Sequence, residues 1–402
     1  MAASPFLPLT KADVDLVTSR KTIRSAGQGH EIRISRRPLD HGPTPVLAHN
    51  RAAGVDAGGR AARVRRGLRP AGASIPLDTS ASGCWCSGVT LHEDEIETDL
   101  PLVRALVDRA LPDLAGHQLR PLDASGSSNA LFRLGDDLLV RLPRQPGGSA
   151  TIAKEARWLP YVAPALPIAV PKIVAVAEPD LGYPERWSVV CWIDGGMPDG
   201  PVRPGSAAGE LARDLASVVS ALGGLAVPAD ALTDPALRWY RGEPLAAMDA
   251  ATRQYLADCR TLPGLDLDID ACLRLWEAAI VLTGAREAVA PRWFHGDLLA
   301  ENLLLRDGRL AAVLDFGGLS VGDPTVDLVV GWEVLDPSGR EVFRSILGID
   351  EVTWLRGRAW ALAIAVMTFP YYWHTMPDRC AARLAMARAV LADASPLLQE
   401  GR

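Results

Sequence analysis

Lysine is almost missing from this chain: only Lys11, Lys21, Lys154 and Lys172 occur among 402 residues, so arginine supplies nearly all the positive charge. With abundant Ala, Gly and Pro, that bias points to a GC-rich bacterial genome. Long apolar runs are missing too. The longest, from Ala361 to Phe369, falls well short of the roughly 20 residues that cross a bilayer, so no membrane partner is expected. No apolar stretch of signal-peptide length follows the first basic residues. The six cysteines are scattered apart from Cys84 and Cys86, and no second Cys or His pair stands at zinc spacing. Free thiols in a reducing cytoplasm are the expectation.

What is present is an apolar share of 48%, enough to bury a sizeable core in two compact lobes. Charge is unevenly spread: residues 1–90 hold 13 Lys+Arg against 6 Asp+Glu, the remainder 29 against 42. The basic residues of 1–90 sit among Gly, Ala and Pro without interleaved aromatics or helical period, which argues against a nucleic-acid partner. Residues 1–90 show neither period 2 nor period 3.6 and read as a disordered or non-native extension. Organised sequence begins just after Val89, and bacteria can initiate at a valine codon.

From Thr98 a helix is expected, with Asp99 as cap, Pro101 in the first turn, and Leu102, Val103, Leu106 and Val107 on one face. Strands are expected over about 129–134 and 138–142, joined by Gly135-Asp136-Asp137, then a helix over 149–162 and strands near 171–177 and 186–192. The run Asp194-Gly195-Gly196 with several prolines breaks the pattern. Helical periodicity follows at about 207–223, 243–260, 267–283, 324–335, 351–369 and 377–393, with a strand–turn–strand at 302–315. The fold class is α+β, with a small sheet-plus-helix lobe over 95–193 and a larger, mostly helical lobe over 194–398.

The chemistry concentrates in His295-Gly296-Asp297, Asn302 after four intervening residues, and Asp315-Phe316-Gly317. Phosphoryl transfer needs a carboxylate at the acceptor hydroxyl and oxygen ligands for Mg²⁺ on the phosphates. Asp297 suits the first task, and Asn302 and Asp315, across the hairpin turned by Arg306 to Arg309, suit the second.

Trp293 to Leu298 with Asn302, and Leu314 to Gly317 followed by Gly322-Asp323-Pro324 and Asp327-Leu328, resemble the signature segments of the aminoglycoside phosphotransferase and choline kinase family, small-molecule kinases of protein-kinase-like bilobal fold. The resemblance covers about residues 95–395. It implies that Asp297 is catalytic, that Asn302 and Asp315 hold Mg²⁺, that ATP or GTP is the phosphoryl donor, and that a small-molecule alcohol, such as an aminoglycoside, is the acceptor. Asp327 and His295 read as structural support, and Asp323 as a helix cap.

Ser125-Gly126-Ser127-Ser128-Asn129 falls where a phosphate-covering loop would lie. Arg141 takes the place of the family's phosphate-pairing lysine, a departure that the planar guanidinium can accommodate. Glu155 resembles its helical partner. Val190 to Ile193 resembles the adenine-binding hinge, with Cys191 and Ile193 as backbone contacts. For the acceptor, Glu333, Asp336 and the carboxylates near 199 are candidate amine contacts, whereas the run Phe369 to His374 suits a more apolar, macrolide-like ligand. The rival reading is a catalytically silent nucleotide-binding module.

Overall fold

A computed structural model describes residues 94–122, 128–198 and 206–399, together with the short pairing of β1 (Ile23–Arg24) with β2 (Glu31–Ile32). The chain divides into Met1–Gly88 and Val89–Arg402. Apart from that pairing, the expectations for 1–90 lie outside the described residues.

The second unit opens with α1 (Leu100–Ala110), whose Asp99 cap accepts from the Leu102 N–H. This satisfies one of the donors orphaned at a helix start. A five-stranded antiparallel sheet follows, built from β3 (Leu119–Pro121), β4 (Asn129–Leu134), β5 (Leu138–Pro143), β6 (Ile173–Ala177) and β7 (Trp187–Cys191) in the order β3-β4-β5-β7-β6. Between β5 and β6 runs α2 (Gly148–Val162). On β5, Val140 and Leu142 are fully buried on one face. Arg141 therefore takes the other, because side chains alternate along a strand.

The helical part comprises α3 (Ser206–Gly224), α4 (Ala229–Thr233), α5 (Asp249–Cys259) and α6 (Ile269–Ala279). Four short strands come next: β8 (Arg292–Phe294), β9 (Leu303–Arg306), β10 (Arg309–Val313) and β11 (Ser320–Gly322). The last helices are α7 (Val330–Glu333), α8 (Pro337–Leu347), α9 (Glu351–Tyr372) and α10 (Pro377–Gln399). Residues Ala359 to Val366 are all buried, so α9 is apolar all round and forms the centre of this core.

Several expected boundaries shift for local reasons. The helix expected over 243–260 starts at Asp249 because Leu245–Met248, after Pro244, forms a 3-10 turn. The stretch expected as helix over 324–335 is a 3-10 segment, Pro324–Val329, followed by the single turn of α7. α4, α8, β8 and β11 were not anticipated. The Asp336 cap, Pro337 and Gly348 at φ 61° are the start and stop signals that mark α8. The sheet on α2 beside a mostly helical region is the bilobal α+β arrangement.

Candidate active site

Two strand pairs bring the chemistry together. The hairpin β9–β10 turns through Asp307 and Gly308, both at positive φ (52° and 74°), as a tight hairpin with right-twisted strands requires. The antiparallel pair β8–β11 sets Phe294 against Ser320 and Trp293 against Val321. The residues after β8 thus lie beside those that precede β11.

His295 is fully buried. Its Nε2 lies 2.9 Å from the Leu314 carbonyl, and its Nδ1 lies 3.2 Å from the Asp297 N–H. A carbonyl accepts and an amide donates, so Nε2 is the donor and Nδ1 the acceptor. His295 thus braces the loop. Asp327, 1% exposed, accepts from the N–H groups of His295 and Gly296, each at 2.7 Å. Burial pushes its carboxyl above the ordinary value; the His295 ring and the two amide bonds offset only part of that. Gly296 has φ 84°, and a Cβ there would come 2.5 Å from the Trp239 ring and 2.8 Å from the Gly318 carbonyl. Only glycine fits.

Both oxygens of Asp297 are engaged: Oδ2 accepts from the Asn302 Nδ2 at 3.0 Å, and Oδ1 from the Arg241 Nη1 at 2.6 Å. Burial alone would raise this carboxyl's pKa, but the Arg241 guanidinium outweighs it and holds the group below the ordinary value. Asn302 also donates through Nδ2 to the Asp297 carbonyl at 2.8 Å, which leaves Oδ1 as its remaining polar atom. Its main-chain carbonyl accepts from the Leu314 N–H at 2.8 Å, and Asp315 is next in sequence. Asp315 adopts φ 53°, a left-handed conformation that Asp tolerates better than most residues. Its Oδ1 accepts from the Gly317 N–H at 3.2 Å, and its side chain is 36% exposed. An amide oxygen and a half-open carboxylate are hard donors of the kind that suit Mg²⁺, which keeps its other positions for phosphate and water. Among the described residues no cluster of three or more His, Cys, Asp or Glu forms a protein-only metal cage.

The sheet contributes Arg141. Its Nη1 donates to Glu155 Oε2 at 2.8 Å and its Nη2 to Oε1 at 3.2 Å, while Nη2 lies 3.7 Å from Asp315 Oδ1. Glu155 is 1% exposed. Arg141 therefore bridges α2 and Asp315. Beside Glu155, Lys154 has its ammonium pKa lowered to about 8 by burial, with Glu155 and Asp315 pulling the other way. Sequence reasoning gave it no role.

The remaining nucleotide candidates are less closely knit. Ser127 lies outside the described residues; Ser128 is exposed, with its carbonyl accepting from Arg144, and Asn129 is buried at the start of β4. At the hinge the Cys191 N–H already donates to the Lys172 carbonyl and the Trp192 N–H to that of Asp137. That removes Cys191 as an amide donor to adenine. Ile193 keeps an N–H with no backbone partner among the described residues.

The proposed amine contacts fare differently. Glu333 is buried, pairs with Arg383, and accepts from the Ala300 N–H at 2.8 Å. Asp336 caps α8 through the Gly339 N–H at 2.7 Å. Neither is offered to a ligand. Phe369 is fully buried, and Trp373 packs edge-on against it at 6.0 Å, so these two serve the core. Asp323 caps Thr325 and also pairs with Arg356 at 2.7 Å.

Residues 119–360 match the family described as the phosphotransferase enzyme family. The chain belongs to that family. Its fold is shared with the GDP and kanamycin complex of the aminoglycoside phosphotransferase APH(2″)-IIIa, at 18% identity and TM-score 0.54, covering 73% of this chain and 98% of that one. The macrolide 2′-phosphotransferase MphH from Brachybacterium faecium is 26% identical, with TM-score 0.50, covering 72% of this chain and 98% of its own. The ADP-bound aminoglycoside phosphotransferase APH(2″)-Ib gives 16% identity and TM-score 0.50, covering 73% of this chain and 99% of that one. No curated protein matches. As a member of the family the chain is a kinase-type phosphotransferase. Among the described residues no helix is long and apolar enough to cross a membrane.

Proposed function

We propose that this phosphotransferase moves the γ-phosphoryl group of ATP or GTP to a hydroxyl of a small molecule. The observation that carries the reading is Arg141, shared between Glu155 at 2.8 Å and Asp315 at 3.7 Å. A cation so held, beside a carboxylate 36% exposed, suits the phosphates of a nucleotide. Asp297 orients the acceptor hydroxyl and takes up its proton, with Arg241 and Asn302 fixing its two carboxylate oxygens. Asn302 Oδ1 and Asp315 are the residues to hold Mg²⁺, which when bound neutralises the phosphates. Arg141 draws the phosphates toward Asp315, and Ile193 is the hinge contact for the base.

For the acceptor, an uncharged or weakly charged ring compound such as a macrolide is favoured over the aminoglycoside expected from the resemblance. Glu333 is buried against Arg383 and Asp336 caps α8, and the relative at 26% identity acts, by its name, on macrolides.

The test is nucleoside diphosphate release by the purified chain with Mg²⁺, ATP or GTP, and erythromycin, kanamycin, choline or glucose. Release that needs both Mg²⁺ and an acceptor is expected. A thermal shift with Mg²⁺ and nucleotide, but no release with any acceptor, would instead identify a silent nucleotide-binding module.

A further inference from the structure

Residues 239–241 belong to no motif, yet they close over the catalytic loop from 55 residues upstream. Tyr240–Gly242 form a 3-10 turn. The Gly242 carbonyl accepts from the Asp323 N–H at 2.9 Å, and a Cβ on Gly242 would come 2.6 Å from the Phe294 ring. The segment is thus pressed onto the β8–β11 pair. The Trp239 ring covers Gly296 and Gly318, where an added Cβ would meet it at 2.5 and 2.9 Å.

On this base sits Arg241. Its guanidinium lies 4.5 Å over Trp239 and 5.6 Å from the Tyr240 ring centre. Nε donates to the Tyr240 hydroxyl at 3.0 Å; Nη1 donates to the Gly296 carbonyl at 2.8 Å and to Asp297 Oδ1 at 2.6 Å. Contacts with four residues fix one side chain that is 11% exposed, and through it they fix Asp297. Tyr240 does the opposite: the residue is 38% exposed, although its hydroxyl is tied to the same guanidinium. A residue serving the core alone would bury that ring.

We propose that Trp239, Tyr240 and Arg241 form the acceptor-side wall of the site, in which Arg241 positions Asp297 and Tyr240 offers its ring to the apolar face of an uncharged or weakly charged cyclic alcohol. The proposal rests on the kinase reading above and deepens it. Arg241 is a positioning residue, since it acts through Asp297. A guanidinium beside the catalytic carboxylate also repels the ammonium groups of a polyamine, whereas cyclic alcohols with apolar faces gain by stacking on tyrosine.

The experiment is steady-state transfer from Mg·ATP and Mg·GTP to erythromycin and to kanamycin, by the parent chain, Arg241→Ala, Arg241→Lys, Tyr240→Ala and Tyr240→Phe, with fluorescent-nucleotide affinity measured for each. Arg241→Ala should lower kcat about 100-fold, the scale of a misplaced reacting group, with donor affinity within about twofold of the parent. Arg241→Lys should recover much of the loss, because an ammonium can still reach Asp297 and the Gly296 carbonyl. Tyr240→Ala should raise the erythromycin KM about tenfold through lost stacking, and Tyr240→Phe should restore it. Parental kcat in Arg241→Ala, an unchanged erythromycin KM in Tyr240→Ala, or preferential use of kanamycin would overturn the proposal while leaving the kinase reading intact. A parent chain that binds no nucleotide would end both.

Discussion

In the stretch from His295 to Asp327, the buried polar side chains bond mainly to the main chain: His295 to the Leu314 carbonyl, Asp327 to two amides, Asn302 to the Asp297 carbonyl. In the sheet and α2, the corresponding polar unit is side chain against side chain, with Arg141 divided between Glu155 and Asp315. Main-chain partners are fixed by the fold, so the first region is preorganised before any ligand arrives. An ion-pair bridge has only its partners to hold it. Substitutions in the first region should therefore abolish turnover or unfold the loop, and those in the second should act in a graded way on the donor.

The largest expected effect is on metal binding. Asp315→Ala removes the half-open carboxylate and should cut kcat/KM by about 1000-fold, the scale of several kcal/mol of charge stabilisation. Diphosphate release at saturating Mg²⁺ measures it; a near-parental rate would put the Mg²⁺ ligands elsewhere. Next comes stability. Asp327→Ala strands the buried N–H groups of His295 and Gly296 and should cost roughly 2–6 kcal/mol, at about 1–3 kcal/mol for each unsatisfied donor. Urea unfolding reads this directly, and a loss below about 1 kcal/mol would mean that the loop is held by other contacts.

The bridge should respond more softly, provided the right variant is chosen. Arg141→Ala leaves Glu155 charged and buried, which costs about 3–5 kcal/mol in such settings, so its kinetics would mix folding with binding. Arg141→Lys keeps the charge and loses the fork. Its donor KM should rise about tenfold with kcat little changed, as for the loss of one charge-assisted hydrogen bond. A drop in kcat as large as that of Asp315→Ala would erase the distinction between the two regions.

The same contrast explains what the sequence made legible. Residues 293–327 carry their roles in local order: a strand, a tight turn with Gly296, a hairpin, then Asp315. Side-chain period and turn chemistry were enough to bring Asp297, Asn302 and Asp315 together in expectation. The fourteen-residue spacing from Arg141 to Glu155 likewise spans one loop and the first turns of α2, and the pair forms in the structure. Arg241 was invisible because its contact with Asp297 crosses 56 residues and depends on how a 3-10 turn packs against β8 and β11. No periodicity encodes such a contact. Its one local trace is two adjacent aromatic residues followed by an arginine, a pattern that also occurs in ordinary cores. The Glu333 and Asp336 expectations failed for the converse reason: composition marks a carboxylate, but only the fold tells whether Arg383 or a helix N-terminus already occupies it.

The central claim is that Asp297 is the acceptor-side carboxylate, and Asp297→Asn tests it most directly. The amide should keep the fold and the affinity for Mg²⁺ and nucleotide, since Asn302, Asp315 and Arg141 remain. It can neither accept the acceptor's proton nor hold the Arg241 guanidinium as an ion pair. Transfer to the acceptor should fall by about 10²–10⁴-fold, the usual contribution of a positioned base. A folded Asp297→Asn chain that binds nucleotide like the parent and transfers phosphate within about threefold of its rate, far inside that range, would contradict the account.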